Sequence, residues 1–72
     1  MKRRELKSEF LRRELSRLED GRLQAMYWCA MEPEGSDARA MYLRIYCNLG
    51  VRMDTVRSQL VFAVMVEHAA KE

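Results

Sequence analysis

The chain has 72 residues, 49% of them hydrophobic, and a formal net charge of +2. A chain of this length forms one domain at most and buries only about 60% of its unfolded surface, so we expect self-association to supplement its core. The small charge does not by itself indicate nucleic-acid binding, because such domains usually carry a basic patch or a pI above about 9.

Cysteine content and hydropathy indicate the compartment. Cys29 and Cys47 lie within apolar helical patterns rather than in a disulfide or zinc-like array, so we expect buried, reduced thiols. No run is apolar for long enough to cross a bilayer, and the basic start is not followed by the apolar stretch of a signal peptide. These features predict a soluble, cytoplasmic protein that does not contact membranes.

Residues 1–20 are predicted to form an amphipathic, charged helix. They contain no Gly or Pro before Gly21, and Leu, Glu, Lys and Arg dominate. The apolar side chains recur at helical spacing and form one stripe, which comprises Leu6, Phe10, Leu11, Leu15 and Leu18. Acidic residues are interleaved with the basic ones, so the charged side is interpreted as a solvated face.

Gly21 is expected to end or kink this helix. A second apolar stripe follows, formed by Leu23, Met26, Tyr27, Ala30 and Met31, and it is rotated by about a quarter turn from the first. One straight helix cannot present both stripes to one core. Pro33 and Gly35 then predict a polar turn.

Two further helices are predicted after this turn. Ser36 or Asp37 is a suitable N-cap for the third helix, which Gly50 would end. Its apolar positions are Ala38, Met41, Tyr42, Ile45, Tyr46 and Leu49. Asp54 would cap a fourth helix that runs to about Ala70. The prediction is a single all-α domain over residues 1–72, with the helix of residues 1–20 preceding a three-helix core of residues 22–70, and a dimeric assembly.

The pattern Leu-Gly-Val-x-x-x-Thr-Val-Arg-Ser-x-Leu over residues 49–60 resembles the helix-turn-helix of sigma factor region 4 and of LuxR-type regulators. Residues 22–66 share the layout of those domains. The resemblance implies that Arg52, Arg57 and Ser58 approach DNA. In a DNA-binding dimer, the arm of Lys2, Arg3 and Arg4 would add phosphate contacts.

The last predicted helix departs from that family because residues 60–66 are apolar all round. A helix that reads DNA needs hydrogen-bond donors and charge on its outer side. An apolar helix must instead be covered on both sides, by the N-terminal helix, by a second copy or by a foreign protein. The predicted protein interface comprises Val61, Phe62, Met65 and Val66, with Phe10, Leu11 and Leu15 of the first helix.

No pattern of catalytic, cofactor-binding or metal-binding residues is present in the sequence. His68 is the single histidine, has no ligand-type neighbour at helical spacing, and is interpreted as a surface residue. We therefore predict a non-enzymatic helical regulator that acts by protein contact, as a homodimer, on a component of the transcription machinery, or both. The alternative is a dimeric helix-turn-helix regulator that binds DNA.

Overall fold

The computed structural model describes residues 4–71, which form two antiparallel α-helices. Helix α1 spans Lys7–Met31 and helix α2 spans Asp37–Ala70. The hairpin measures 55 × 26 × 12 Å, so it is one helix diameter thick. Its radius of gyration of 16.7 Å exceeds the value of about 11 Å that a compact domain of this length would have.

The turn of residues 32–36 joins the helices where the sequence predicts it. The backbone N–H of Glu32 donates to the carbonyl of Cys29 at 3.2 Å, and Gly35 adopts a positive φ of 79°. Ser36 then caps α2, because its Oγ accepts a hydrogen bond from the backbone N–H of Arg39 at 3.1 Å. The predictions of the turn and of Ser36 as the N-cap are confirmed.

The helices pack along an interhelical seam whose members alternate at intervals of three and four residues. Every member is buried or half-buried. The seam comprises Ser8, Leu11, Leu15, Leu18, Arg22, Ala25 and Cys29 of α1, and Arg39, Tyr42, Tyr46, Leu49, Met53, Val56, Leu60, Ala63 and Glu67 of α2. This spacing is that of an antiparallel coiled coil, in which a narrow stripe of each helix faces its partner.

The prediction of four helices is wrong, although the all-α class is confirmed for the described residues. Gly21 lies inside α1, and Gly50 and Asp54 lie inside α2. The turn that a helix-turn-helix would need at residues 50–54 is continuous helix. Thr55 Oγ1 donates a hydrogen bond to the carbonyl oxygen of Val51, four residues earlier, at 3.3 Å. Threonine side chains form this bond within helices.

The physical reason lies in the seam, which continues through both glycines. A glycine inside a helix costs only about 1 kcal/mol relative to alanine. Burial of the flanking seam residues Leu18 and Met53 offsets that cost, since burying one large apolar side chain stabilises by about 1.5–3 kcal/mol. The glycines therefore do not interrupt either helix.

The two cysteines differ in their burial. Cys29 is half-buried and its Sγ lies 3.7 Å from the carbonyl oxygen of Arg39, whereas Cys47 is exposed. The expectation of two buried thiols is therefore wrong for Cys47, which lies outside the seam. Between residues 4 and 71, neither helix contains a segment that is long and apolar enough to cross a membrane.

Candidate protein-interaction surface

Large apolar side chains remain exposed at both ends of the hairpin. The turn end exposes Leu23, Met26, Tyr27, Trp28, Met31, Met41, Leu43 and Ile45. The open end, where α1 begins and α2 ends, exposes Leu6, Phe10, Val61, Phe62, Val64, Met65 and Val66. Between them the waist of the hairpin is largely polar, with Val51 exposed on the outer edge of α2. Two separated apolar patches on one slab are characteristic of surfaces that other protein chains cover.

The structure separates the residues predicted as a protein interface into two groups. Leu11 is buried in the seam, and Leu15 packs beside it. They cover the side of α2 that carries Val56, Leu60 and Ala63. The other predicted residues are exposed, including Phe62 with 69% of its surface accessible. The first helix thus covers one side of α2 and leaves the Phe62 side uncovered; Phe10, Val61, Met65 and Val66 are exposed with it.

The slab has two broad faces, and their residues follow from the seam. At about 100° per residue, a residue just before a seam position points to one broad face and a residue just after it points to the other. We call the first the aromatic face, whose apolar members are Phe10, Trp28, Met31, Met41, Ile45, Phe62 and Val66. The second, the opposite face, carries Leu23, Met26, Leu43, Val61 and Val64.

Two grooves open on the aromatic face. One, of about 450 Å³, lies at the open end, where Phe62 and Val66 form its walls together with Lys7 and Gln59. The other, of about 400 Å³, lies toward the waist and is lined by residues that include Phe10, Glu14, Arg52 and Thr55. Residues of both helices line each groove, which confirms that these positions share one face.

Polar side chains occupy the waist of the aromatic face. Arg17 Nη1 lies 3.9 Å from Glu14 Oε2, and the guanidinium of Arg17 is largely exposed. Arg52, Thr55 and Gln59 occupy the corresponding part of α2, and all three are exposed. The face is therefore apolar at its two ends and polar between them.

The residues predicted to approach DNA do not form one surface. Arg52 and Arg57 are five positions apart, so they diverge by about 140° around α2. Arg57 pairs with Asp54, with Nη1 and Oδ1 3.3 Å apart, and Ser58 lies on the outer edge of α2. Arg4 precedes α1, and Lys2 and Arg3 lie outside the described residues. DNA binding stays an untested prediction, but the helix-turn-helix that would present these residues is absent from residues 4–71.

One carboxylate has a structural role at the open end. Glu67 Oε1 accepts a hydrogen bond from the backbone N–H of Ser8 at 3.2 Å, which satisfies a free donor in the first turn of α1. Hydrogen bonds from the side chain and backbone of Ser8, with smaller contributions from Arg12 and Lys71, lower the pKa of Glu67. Glu67 therefore compensates for Leu6 at the N-cap of α1, which makes no side-chain cap bond.

The described residues contain no group of three His, Cys, Asp or Glu side chains that could hold a metal ion. His68 is exposed in the last turn of α2. The strongest candidate for a functional surface is the set of large apolar side chains exposed at the two ends of the hairpin.

Comparison of the chain with models of protein families, with curated proteins and with solved structures finds no significant match.

The seam is the feature that the sequence analysis did not find. It includes Ser8, Arg22 and Glu67, whose polar side chains interrupt an apolar pattern. A search for positions that alternate strictly at intervals of three and four residues, with a few polar members allowed, could have found the seam. The predicted stripes instead mixed seam residues such as Leu11 with residues of the aromatic face such as Phe10.

Proposed function

We propose that this chain is a small helical regulatory protein that acts by protein–protein contact, and that its first partner is a second copy of itself. The observation that carries the proposal is the exposure of aromatic and aliphatic side chains at both ends of a hairpin only one helix thick. Between residues 4 and 71 the hairpin has one seam with a narrow buried cluster, and no core between two layers of helices. A second layer of helices would supply that core.

The accessible surface area of the hairpin indicates how large the contact between two copies can be. The hairpin exposes 6206 Å², whereas a compact monomer of this mass exposes about 4,700 Å². The excess of about 1,500 Å² per chain corresponds to about 3,000 Å² for a pair, within the range of obligate homodimers, about 2,000–5,000 Å². The uncovered surface is therefore large enough for the interface of a stable dimer.

A partner in the transcription machinery stays a prediction. It was based on the resemblance to sigma and LuxR-type domains, and the helix-turn-helix that carries that resemblance is replaced by continuous helix in α2. The hairpin retains apolar residues on its opposite face, among them Leu23, Leu43 and Val64. These side chains favour contact with another protein in addition to the second copy.

Sedimentation equilibrium between about 1 and 200 µM tests the proposal, because obligate homodimers of this interface size are stable in that range. We expect a dimer of about twice the chain mass of 8.5 kDa. We also expect helicity to fall on dilution, since folding and association are linked in such dimers. A helical protein that stays monomeric over the whole range would contradict the proposal.

A further inference from the structure

We infer that the second copy binds on the aromatic face and in antiparallel orientation, so that the turn end of one hairpin covers the open end of the other. The pair would form a four-helix bundle in which α1 packs on α1 and α2 packs on α2 of the second copy. This inference rests on the proposed function, because it specifies the surface and the geometry of the self-association.

The aromatic face of α2 is symmetric about its centre. Its positions read Met41, Ile45, Asn48, Arg52, Thr55, Gln59, Phe62 and Val66, which is two apolar residues, four polar residues and two apolar residues. The midpoint lies between Arg52 and Thr55. A two-fold axis at that point places Ile45 of each copy opposite Phe62 of the other, and Met41 opposite Val66.

The aromatic face of α1 reads Lys7, Phe10, Glu14, Arg17, Gly21, Gln24, Trp28 and Met31, and it is symmetric about a point between Arg17 and Gly21 except at Lys7, which lies opposite Met31. A two-fold axis there places Phe10 opposite Trp28 of the second copy, and Arg17 opposite Gly21, where no side chain obstructs the guanidinium. The two midpoints lie within about 4 Å of each other along the hairpin, because Gly21 adjoins Leu49 of α2 and the midpoints lie about two residues beyond Gly21 and about four and a half beyond Leu49 toward the open end. One axis can therefore serve both helices.

On the opposite face only α1 lacks this complementarity, since a two-fold axis near Asp54 of α2 would place Leu43 opposite Val64 and Cys47 opposite Val61. The α1 half of this face near the open end carries Glu9, Arg12 and Glu19, whereas the half near the turn carries Leu23 and Met26. An antiparallel contact through this face would bury charges against apolar side chains, which is costly. The aromatic face is thus the more self-complementary of the two, because α1 contributes one charged mismatch on that face and several on the opposite face.

Shape favours the antiparallel orientation over the parallel one. The groove of about 450 Å³ at the open end lies beside Phe62 and Val66. In the antiparallel pair, the protruding Met41 and Ile45 of the second copy lie over this groove. In a parallel pair, with turn end on turn end, two such grooves would face each other and leave an unfilled cavity, which well-packed interfaces avoid.

Matched substitutions of two adjacent residues test which broad face forms the dimer interface. Phe62→Asp alters the aromatic face and Val61→Asp the opposite face, and the two side chains are similarly exposed, at 69% and 62%. We expect Phe62→Asp to raise the dissociation constant of the dimer at least about 100-fold, because each dimer contains the residue twice. Val61→Asp should change it less than about fivefold. Ile45→Asp and its control Leu43→Asp should repeat the contrast at the turn end.

Spin labels test the orientation in protein with an intact interface. A single label at His68→Cys, with Cys29 and Cys47 replaced by serine, lies near the open end and on the opposite face, away from the proposed interface. In the antiparallel dimer the two labels are about 45 Å apart, whereas in the parallel dimer, across two layers of helices, they are about 30 Å apart. Circular dichroism first verifies that the labelled protein keeps its helicity.

The outcomes separate this inference from the proposed function. A wild type that is monomeric at all concentrations would refute both. A dimer that Val61→Asp dissociates while Phe62→Asp does not, or one whose labels are about 30 Å apart, would refute the inference and leave self-association standing.

Discussion

The guanidinium of Arg22 lies over the ring of Tyr46, with its Cζ 4.1 Å from the ring centroid. Both residues belong to the seam, so a cation occupies a position where coiled coils usually place an apolar side chain. Arg22 Nε is buried and has no hydrogen-bond partner among the described residues. Attraction to the aromatic ring, about 0.5–2 kcal/mol, partly offsets that cost.

Gly50 makes room for Arg22, and this relationship gives the first prediction. A Cβ at Gly50 would lie 2.9 Å from Arg22 Nη2, so alanine there would displace the guanidinium from Tyr46. Glycine to alanine inside a helix normally stabilises by about 1 kcal/mol. We expect Gly50→Ala to give almost no gain in the free energy of unfolding in the wild type and the full gain in an Arg22→Ala background. Urea unfolding of the four proteins at one concentration measures the coupling, and equal gains in both backgrounds would contradict it.

Glu67 gives a prediction about pH. Its pKa is lowered in the folded protein, mainly by the hydrogen bonds from Ser8. A carboxyl whose folded pKa lies below its unfolded value stabilises the fold above the unfolded value, near 4.5, and loses that contribution as the pH falls through the folded pKa. We expect Glu67→Gln to lower the urea midpoint at pH 7 and to have little effect at pH 3. Glu34→Gln, in the turn, is the control, and a Glu67→Gln effect that does not depend on pH would exclude this role of the carboxylate.

The cap of α2 gives a third prediction. Ser36 Oγ accepts from the backbone N–H of Arg39, so Ser36→Ala leaves a donor in the first turn of α2 without that bond. Loss of an N-cap serine costs about 1 kcal/mol of stability. Ser16→Ala, at an exposed position within α1, should be neutral or slightly stabilising. Thermal unfolding of the two variants at equal concentration distinguishes them, and the prediction fails if both behave alike.

The position of a leucine relative to the seam predicts how much it contributes to the free energy of unfolding. Leu18 is a buried seam residue, whereas Leu23 is exposed on the opposite face. We expect Leu18→Ala to lower the free energy of unfolding by about 2–5 kcal/mol and Leu23→Ala by less than about 1 kcal/mol. Chemical denaturation of both variants at several protein concentrations measures this difference. A large loss for Leu23→Ala would show that the opposite face is buried in the assembly, against the arrangement proposed here.

The sequence by itself determined the helical class, the turn and the end of the last helix. Local interactions decide these features: strong helix formers fill the helices, Pro33 and Gly35 favour the turn, and Ser36 can cap the helix that follows. It also identified residues 60–66 as apolar all round. Of the residues predicted for an interface, Phe62, Val61, Met65, Val66 and Phe10 are exposed in the hairpin, and their contact with a partner stays a prediction.

Only the tertiary structure decided that Gly21 and Gly50 lie inside continuous helices. The local conformational preference of a glycine does not show whether it ends a helix or lies within one. Contacts with side chains distant in the sequence decide between the two. Contacts along the seam, from Ser8 and Glu67 at the open end to Cys29 and Arg39 at the turn, hold both helices straight through these positions. Packing against α2 also decided that Leu11 and Leu15 are covered and that Phe10 is exposed. An apolar stripe on an isolated helix does not specify which of its edges another helix covers.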